Sequence, residues 1–158
     1  MTSRKKKSKK PSDTKLSPDE RLKSFVFFID RSLGSKKVPD KLREAGLNVE
    51  LHKKYFAPDA PDIEWLEKCG TKNWVALAKD KAIKRNELER RALFNAEIAA
   101  FFLTSGELNG DEMAQAITKA LEKIADFLEN QKRPFIARIT PQGKVELWLD
   151  HKDRNRLT

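Results

Sequence analysis

The chain has 158 residues, 39% of them hydrophobic, which is enough for one core of ordinary size and sets the expectation of a single domain. No apolar run approaches the ~20 residues of a membrane helix, and no apolar region follows the basic N-terminus as a secretory signal would, so a cytoplasmic protein without a membrane partner is expected. A single cysteine, Cys69, excludes an internal disulfide and a cysteine-based metal site.

The formal charge of +9 is unevenly spread. Residues 1–24 carry nine Lys/Arg against three Asp/Glu, and the remainder carries 24 against 21. The excess is thus mostly a tail, able to add phosphate affinity or simply to be solvated. Residues 1–22 are read as a disordered basic tail, 23–150 as the folded domain and 151–158 as a polar C-terminal tail. Within the first tail, Ser17-Pro18 could start a short helical turn.

The domain opens on Phe25-Val26-Phe27-Phe28-Ile29, a continuous apolar run that predicts a strand buried on both faces, and the run ends at Asp30. Val38 to Ala45 has helical spacing and Gly46 follows as a stop signal. Leu47 to His52 alternates with period two and predicts a second strand. After a loop at 53–61, a short helix is expected from Asp62, closed by Gly70. Trp74 to Ala78 is another apolar strand, running into Lys79-Asp80-Lys81. Asn86 can cap a helix over 87–95, and Ile98 to Leu103 reads as a fourth strand. Asn109 or Asp111 caps the longest helix, with an apolar stripe from Met113 to Leu128. A fifth strand at 134–139, a Pro141-Gln142-Gly143 turn and an alternating segment at 145–149 predict a closing hairpin. Strands alternating with helices give the fold class: α/β, three layers, with a mostly parallel central sheet and a C-terminal β-hairpin.

In such a sheet Asp30 and Asp80 would project from the same carboxyl edge, where ligands bind. Asp62 and Glu64 open a helix whose first turn lies at that edge as well. Carboxylates that converge need a counter-cation, and oxygen-only ligands in an open site suit magnesium or manganese. Arg31, Lys36, Lys37, Lys79, Lys81, Lys84 and Arg85 would surround the acids with a cationic rim suited to a polyanion. Two of the acids also have a structural reading: Asp30 as the cap of a turn with Ser32 and Gly34, Asp62 as a helix N-terminal acid. Cys69, Trp65 and Trp74 are read as packing residues. His52 and His151 are too isolated for zinc, although His52, at a strand end, could contact substrate.

The segments Phe28-Ile29-Asp30-Arg31-Ser32-Leu33-Gly34, Asp59-Ala60-Pro61-Asp62-Ile63-Glu64-Trp65-Leu66 and Val75-Ala76-Leu77-Ala78-Lys79-Asp80-Lys81 resemble a PIN-like domain. Within that class they resemble the bacterial VapC-like toxin group, over roughly residues 25 to 140. The resemblance implies a metal-dependent ribonuclease, with an RNA substrate and a small antitoxin protein as partner, and it leaves a homodimer open. By it Asp30, Asp62 and Asp80 are the metal ligands and Glu64 the alternative central acid; Arg31, Lys79, Lys81 and Arg85 are expected on the substrate. Two departures from the family pattern stand out. Arg31 occupies the place where related chains often have a second acid, and the fourth acid is Glu87, Glu89 or none. A catalytically weak or inactive PIN-like nucleic-acid-binding or scaffold protein is the alternative, and Arg31 and Ser32 speak against a phosphoryl-accepting receiver or an Asp-nucleophile phosphatase.

Overall fold

The computed structural model describes residues 16–80, 86–104 and 107–153. Among these residues the chain forms six strands and six α-helices. The strands are β1 (Val26–Ile29), β2 (Asn48–Leu51), β3 (Val75–Lys79), β4 (Ala99–Leu103), β5 (Phe135–Ile139) and β6 (Val145–Leu149). The helices are α1 (Pro18–Leu22), α2 (Lys37–Glu44), α3 (His52–Tyr55), α4 (Asp62–Lys72), α5 (Glu87–Ala96) and α6 (Gly110–Asn130). No helix among the described residues is long and apolar enough to cross a membrane.

One sheet runs in the order β2-β1-β3-β4-β5-β6, parallel throughout except for β6, which pairs antiparallel with β5. This is the expected three-layer α/β/α arrangement with its terminal hairpin. The hairpin turns at Gly143, whose φ of 85° is strained for any other residue and whose added Cβ would lie 2.6 Å from Lys119 Cβ.

Apolar side chains alternate onto two faces of the sheet, so there are two cores. On one face Phe27, Ile29, Val75, Leu77 and Phe101 pack against α2 and α6. On the other, Phe28, Ala76, Ala78 and Phe102 meet Trp65, Leu66 and Cys69 of α4 and Leu93 and Phe94 of α5. Fully burying one such large side chain stabilises the fold by roughly 1.5–3 kcal/mol. The chain leaves β1 for β2 through α2 on the first face, and leaves β3 for β4 through α5 on the second. The strand order therefore reverses between β1 and β3, and a crevice opens at their carboxyl ends.

Three local expectations are corrected. The helical turn allowed for at Ser17-Pro18 forms as α1, but packed on the domain and not within a tail: Leu22 is buried and Arg21 donates to Asp126 (2.7 Å) and Glu129 (2.6 Å) of α6. The loop expected at 53–61 begins instead as helix α3, which starts at His52 directly from β2. Gly70 does not close α4: the helix runs on to Lys72 and stops at Asn73, held in the left-handed region at φ 59°. Gly70 serves contact, since a Cβ there would lie 2.7 Å from both Cβ and the carbonyl oxygen of Ala96 in α5. Of the alternative caps for α6, Asn109 holds the place, exchanging hydrogen bonds with Glu112. Residues 1–15 and 154–158 of the two expected tails lie outside the described residues.

Candidate active site

The site is built outward from the end of β1. The Asp30 N–H donates to the Leu77 carbonyl (2.9 Å), which keeps the residue in register with β3 as the strand ends. Its side chain caps the 3-10 turn Arg31–Leu33: Oδ2 accepts from the Ser32 N–H (3.1 Å) and hydroxyl (2.6 Å). The Ser32 Oγ in turn accepts from the Lys79 N–H (3.0 Å), tying the turn to β3. The structural reading of Asp30 as a cap is thus correct for one oxygen. The other, Oδ1, is buried and makes no hydrogen bond among the described residues. A buried, unsatisfied carboxylate oxygen is costly and calls for a cation.

Arg31 supplies part of that charge. Its Nη1 lies 3.9 Å from Asp30 Oδ1, 3.7 Å from Asp62 Oδ1 and 3.0 Å from His52 Nε2. A guanidinium has only donors, so His52 accepts through Nε2 and is neutral, with its proton on Nδ1. The ring is buried against Phe28 and Phe56. Burial holds its pKa below the usual value, with Arg31 adding to the effect against the pull of Asp30 and Asp62. Asp62 begins α4, and its Oδ1 accepts from Trp65 Nε1–H (2.9 Å) one helical turn on. Trp65 is locked by stacking on Phe28, at 5.4 Å between ring centroids, so the aromatic core orients the acid. Glu64 is exposed on the same helix.

The two candidates for a fourth acid differ in their surroundings. Glu89 is held above the usual carboxylate range by burial first, then by the charges of Asp62 and Asp30 and a hydrogen bond with Asp62. Glu87 instead pairs with Arg91 at 3.0 Å on the solvent side. Asn86 fixes the start of α5 by accepting from the Glu89 N–H (3.0 Å).

Asp80 shares the sheet face of Ala76 and Ala78, as Asp30 shares that of Phe28. Ile29 pairs with Leu77, so Asp80 stands about two residues farther along its strand, roughly 7 Å by strand rise. Its side chain is 6% exposed, and its Oδ2 lies 3.9 Å from Arg138 Nε. Arg138 comes from β5 and lies over the Trp148 ring at 4.5 Å. Asp30, Asp62, Glu89, Arg31 and His52 thus form one group, and Asp80 with Arg138 a neighbouring one. Among the described residues no three His, Cys, Asp or Glu side chains stand closely enough to form a ready-made metal site. Lys79 alternates onto the opposite face from Asp80, and Lys81, Lys84 and Arg85 lie outside the described residues. Burial drives the Cys69 thiol up, so it stays protonated as a packing residue, as expected.

Sequence reasoning passed over Arg138 and Trp148, and it gave His52 no firm role. The signal for Arg138 was there: in Phe135-Ile136-Ala137-Arg138-Ile139 it alternates onto the same buried face as Ile136.

A family model described as a PIN like domain matches residues 25–105, a span containing β1 to β4 and every acid of the site. The chain is 28% identical over 138 residues to the protein named "Putative ribonuclease VapC45" of Mycobacterium tuberculosis (strain ATCC 25618 / H37Rv), covering 84% of this chain and 99% of that one. No solved structure matches. With strand-end acids where the motif segments call for them and a family match across the whole of that region, the chain belongs to the PIN-like domain family.

Proposed function

We propose that this protein is a divalent-metal-dependent endoribonuclease of the VapC-like kind, the toxin of a two-protein module restrained by a small antitoxin. The observation that carries the reading is Asp30: one carboxylate oxygen is committed to the Ser32 cap, and the other is buried without a hydrogen bond beside Asp62 and Glu89. The name of the mycobacterial relative supports ribonuclease chemistry.

The donor set suits a hard cation, since every acid offers oxygen. Asp30, Asp62 and Asp80 would hold magnesium or manganese, and Glu89 would be the fourth acid, a reading supported by the influence of Asp62 and Asp30 on it. Such an ion supplies a polarised phosphodiester and a bound water of lowered pKa. The side chains do the rest. Ser32 engages Asp30 through Oδ2 and leaves Oδ1 uncommitted, and Trp65 holds Asp62 through Oδ1. Glu89, whose pKa burial and the neighbouring acids raise, would be favoured in its ionised form by a cation at the site. Arg31, 41% exposed, offsets the acids' charge without a cation and is free to turn towards a substrate phosphate. His52 accepts from Arg31 and keeps the guanidinium at the rim. Arg138 balances Asp80 from the far side.

A second reading has its own observation. Both strand-end acids already have a guanidinium within 3.9 Å, so the charge is balanced without metal and the domain could bind nucleic acid while doing no chemistry. Manganese titration into the full-length protein separates the two. Stoichiometric binding lost in Asp30→Asn supports the nuclease, and RNA binding insensitive to metal and to that substitution supports the binder. Growth arrest on expression, relieved by Asp30→Asn, tests the toxin role.

A further inference from the structure

We infer that the cavity on the outer side of Arg31 receives the base of the RNA nucleotide flanking the scissile phosphodiester; this rests on the nuclease reading above. The cavity, about 210 Å³, lies between the turn that follows β1 and the stretch from the end of β2 to Pro58. Arg31 and His52 line it, and Arg31 Nη1 is also the group 3.7 Å from Asp62 and 3.9 Å from Asp30. One side chain therefore separates the acids from the cavity. A phosphate engaged by Arg31 would have the attached nucleoside within reach of it.

The walls fit a flat heterocycle better than they fit a second phosphate. Leu51, Phe56 and Pro58 make them apolar, and the cations, Arg31 and Lys53, add positive charge to the lining. Phe56 is a prepared surface: its ring is held edge-on by Phe28 at 6.2 Å and tilted against His52 at 5.4 Å. Base–aromatic stacking needs such a ring, and a cationic surround adds to it. The volume is below the roughly 300–1,000 Å³ of pockets that take drug-sized ligands, so it suits one base rather than a whole nucleotide. An apolar metabolite would make no use of Arg31 and Lys53, and an inorganic anion no use of Phe56. A base joined to a phosphate uses both.

The test is equilibrium binding of AMP, GMP, CMP, UMP and ribose 5-phosphate to the full-length protein with manganese present. The expected result is that at least one nucleotide binds about tenfold more tightly than ribose 5-phosphate, the margin of one stacked base. Ser35→Trp, at an exposed residue of the cavity wall, should fill the space and bring that margin within about twofold, leaving ribose 5-phosphate affinity unchanged. Phe56→Leu, which keeps an apolar contact with Phe28, should do the same by removing the ring. Equal binding of all five probes, or a margin that survives both variants, overturns the inference. Metal-dependent cleavage of a mixed RNA pool by the same wild-type preparation keeps the two readings apart: cleavage without a nucleotide margin sinks only the pocket. A margin without cleavage sinks the nuclease, and with it the placing of the base beside a scissile bond.

Discussion

Asp30 and Asp80 look alike in sequence, each following an apolar strand, and each has an arginine 3.9 Å away, yet their corners are built differently. Arg31 is the next residue in the chain, partly exposed, and shared among Asp30, Asp62 and His52. Arg138 arrives from β5, two strands away from β3, is less exposed, and is held on Trp148. The first counter-cation is partly exposed and meets the acids only at long range; the second is held by packing. An exchangeable charge thus stands opposite a structural one: on the proposed function a metal displaces Arg31 from the first corner, while Asp80 joins as a ligand with Arg138 still packed behind it.

The largest expected effect is on metal affinity at the exchangeable corner. Asp62→Asn should weaken manganese binding by about 10–100-fold, whereas Glu64→Gln, exposed on the same helix, should leave it unchanged. Calorimetric titration reads both; equal losses would mean that Trp65 does not select the acid.

Next comes Arg138→Met. Removing a packed cation from beside buried Asp80 should lower stability by about 1–3 kcal/mol in urea unfolding. Arg31→Met should cost less stability than Arg138→Met, because its ion pairs are long and its side chain is 41% exposed. It should raise manganese affinity by about fivefold to tenfold by removing a competing charge while impairing RNA cleavage. If the two substitutions behaved alike in unfolding and in titration, the distinction between the corners would collapse.

The smallest effect is a pH dependence. Glu89 is held above its ordinary value, so the folded, metal-free protein retains a proton that the unfolded chain releases. Its contribution to stability is full below the unfolded carboxylate value and is lost as pH rises through the raised one. Metal affinity runs the other way, growing with pH over the same window as that proton is displaced. Glu89→Gln should flatten both slopes and Glu87→Gln neither, measured by unfolding and by titration in buffers of different ionisation enthalpy.

The sequence carried the sheet well, because strands such as Val75–Lys79 and Ala99–Leu103 are nearly uninterrupted apolar runs bounded by polar residues. It also carried the strand-end acids. What it could not carry was anything set by helix rotation or by a distant strand. Leu88 suggests an apolar face for α5, yet it is 64% exposed while Leu93 and Phe94 are buried, so the pattern misaligns the helix and cannot choose Glu89 over Glu87. Gly70 reads as a stop signal because packing of α4 on Ala96 is invisible locally. Arg138 meets Asp80 across 58 residues of chain, and only the sheet order brings them together.

The central claim is that the Asp30 corner works by binding a metal, and RNA cleavage tests it most directly. Purified full-length protein and its Asp30→Asn variant would be incubated with a mixed RNA pool, with manganese and with chelator. The account predicts cleavage by the wild type only with manganese, reduced by more than about 100-fold in the variant. Cleavage that persists in chelator, or is unaffected by Asp30→Asn, would contradict it.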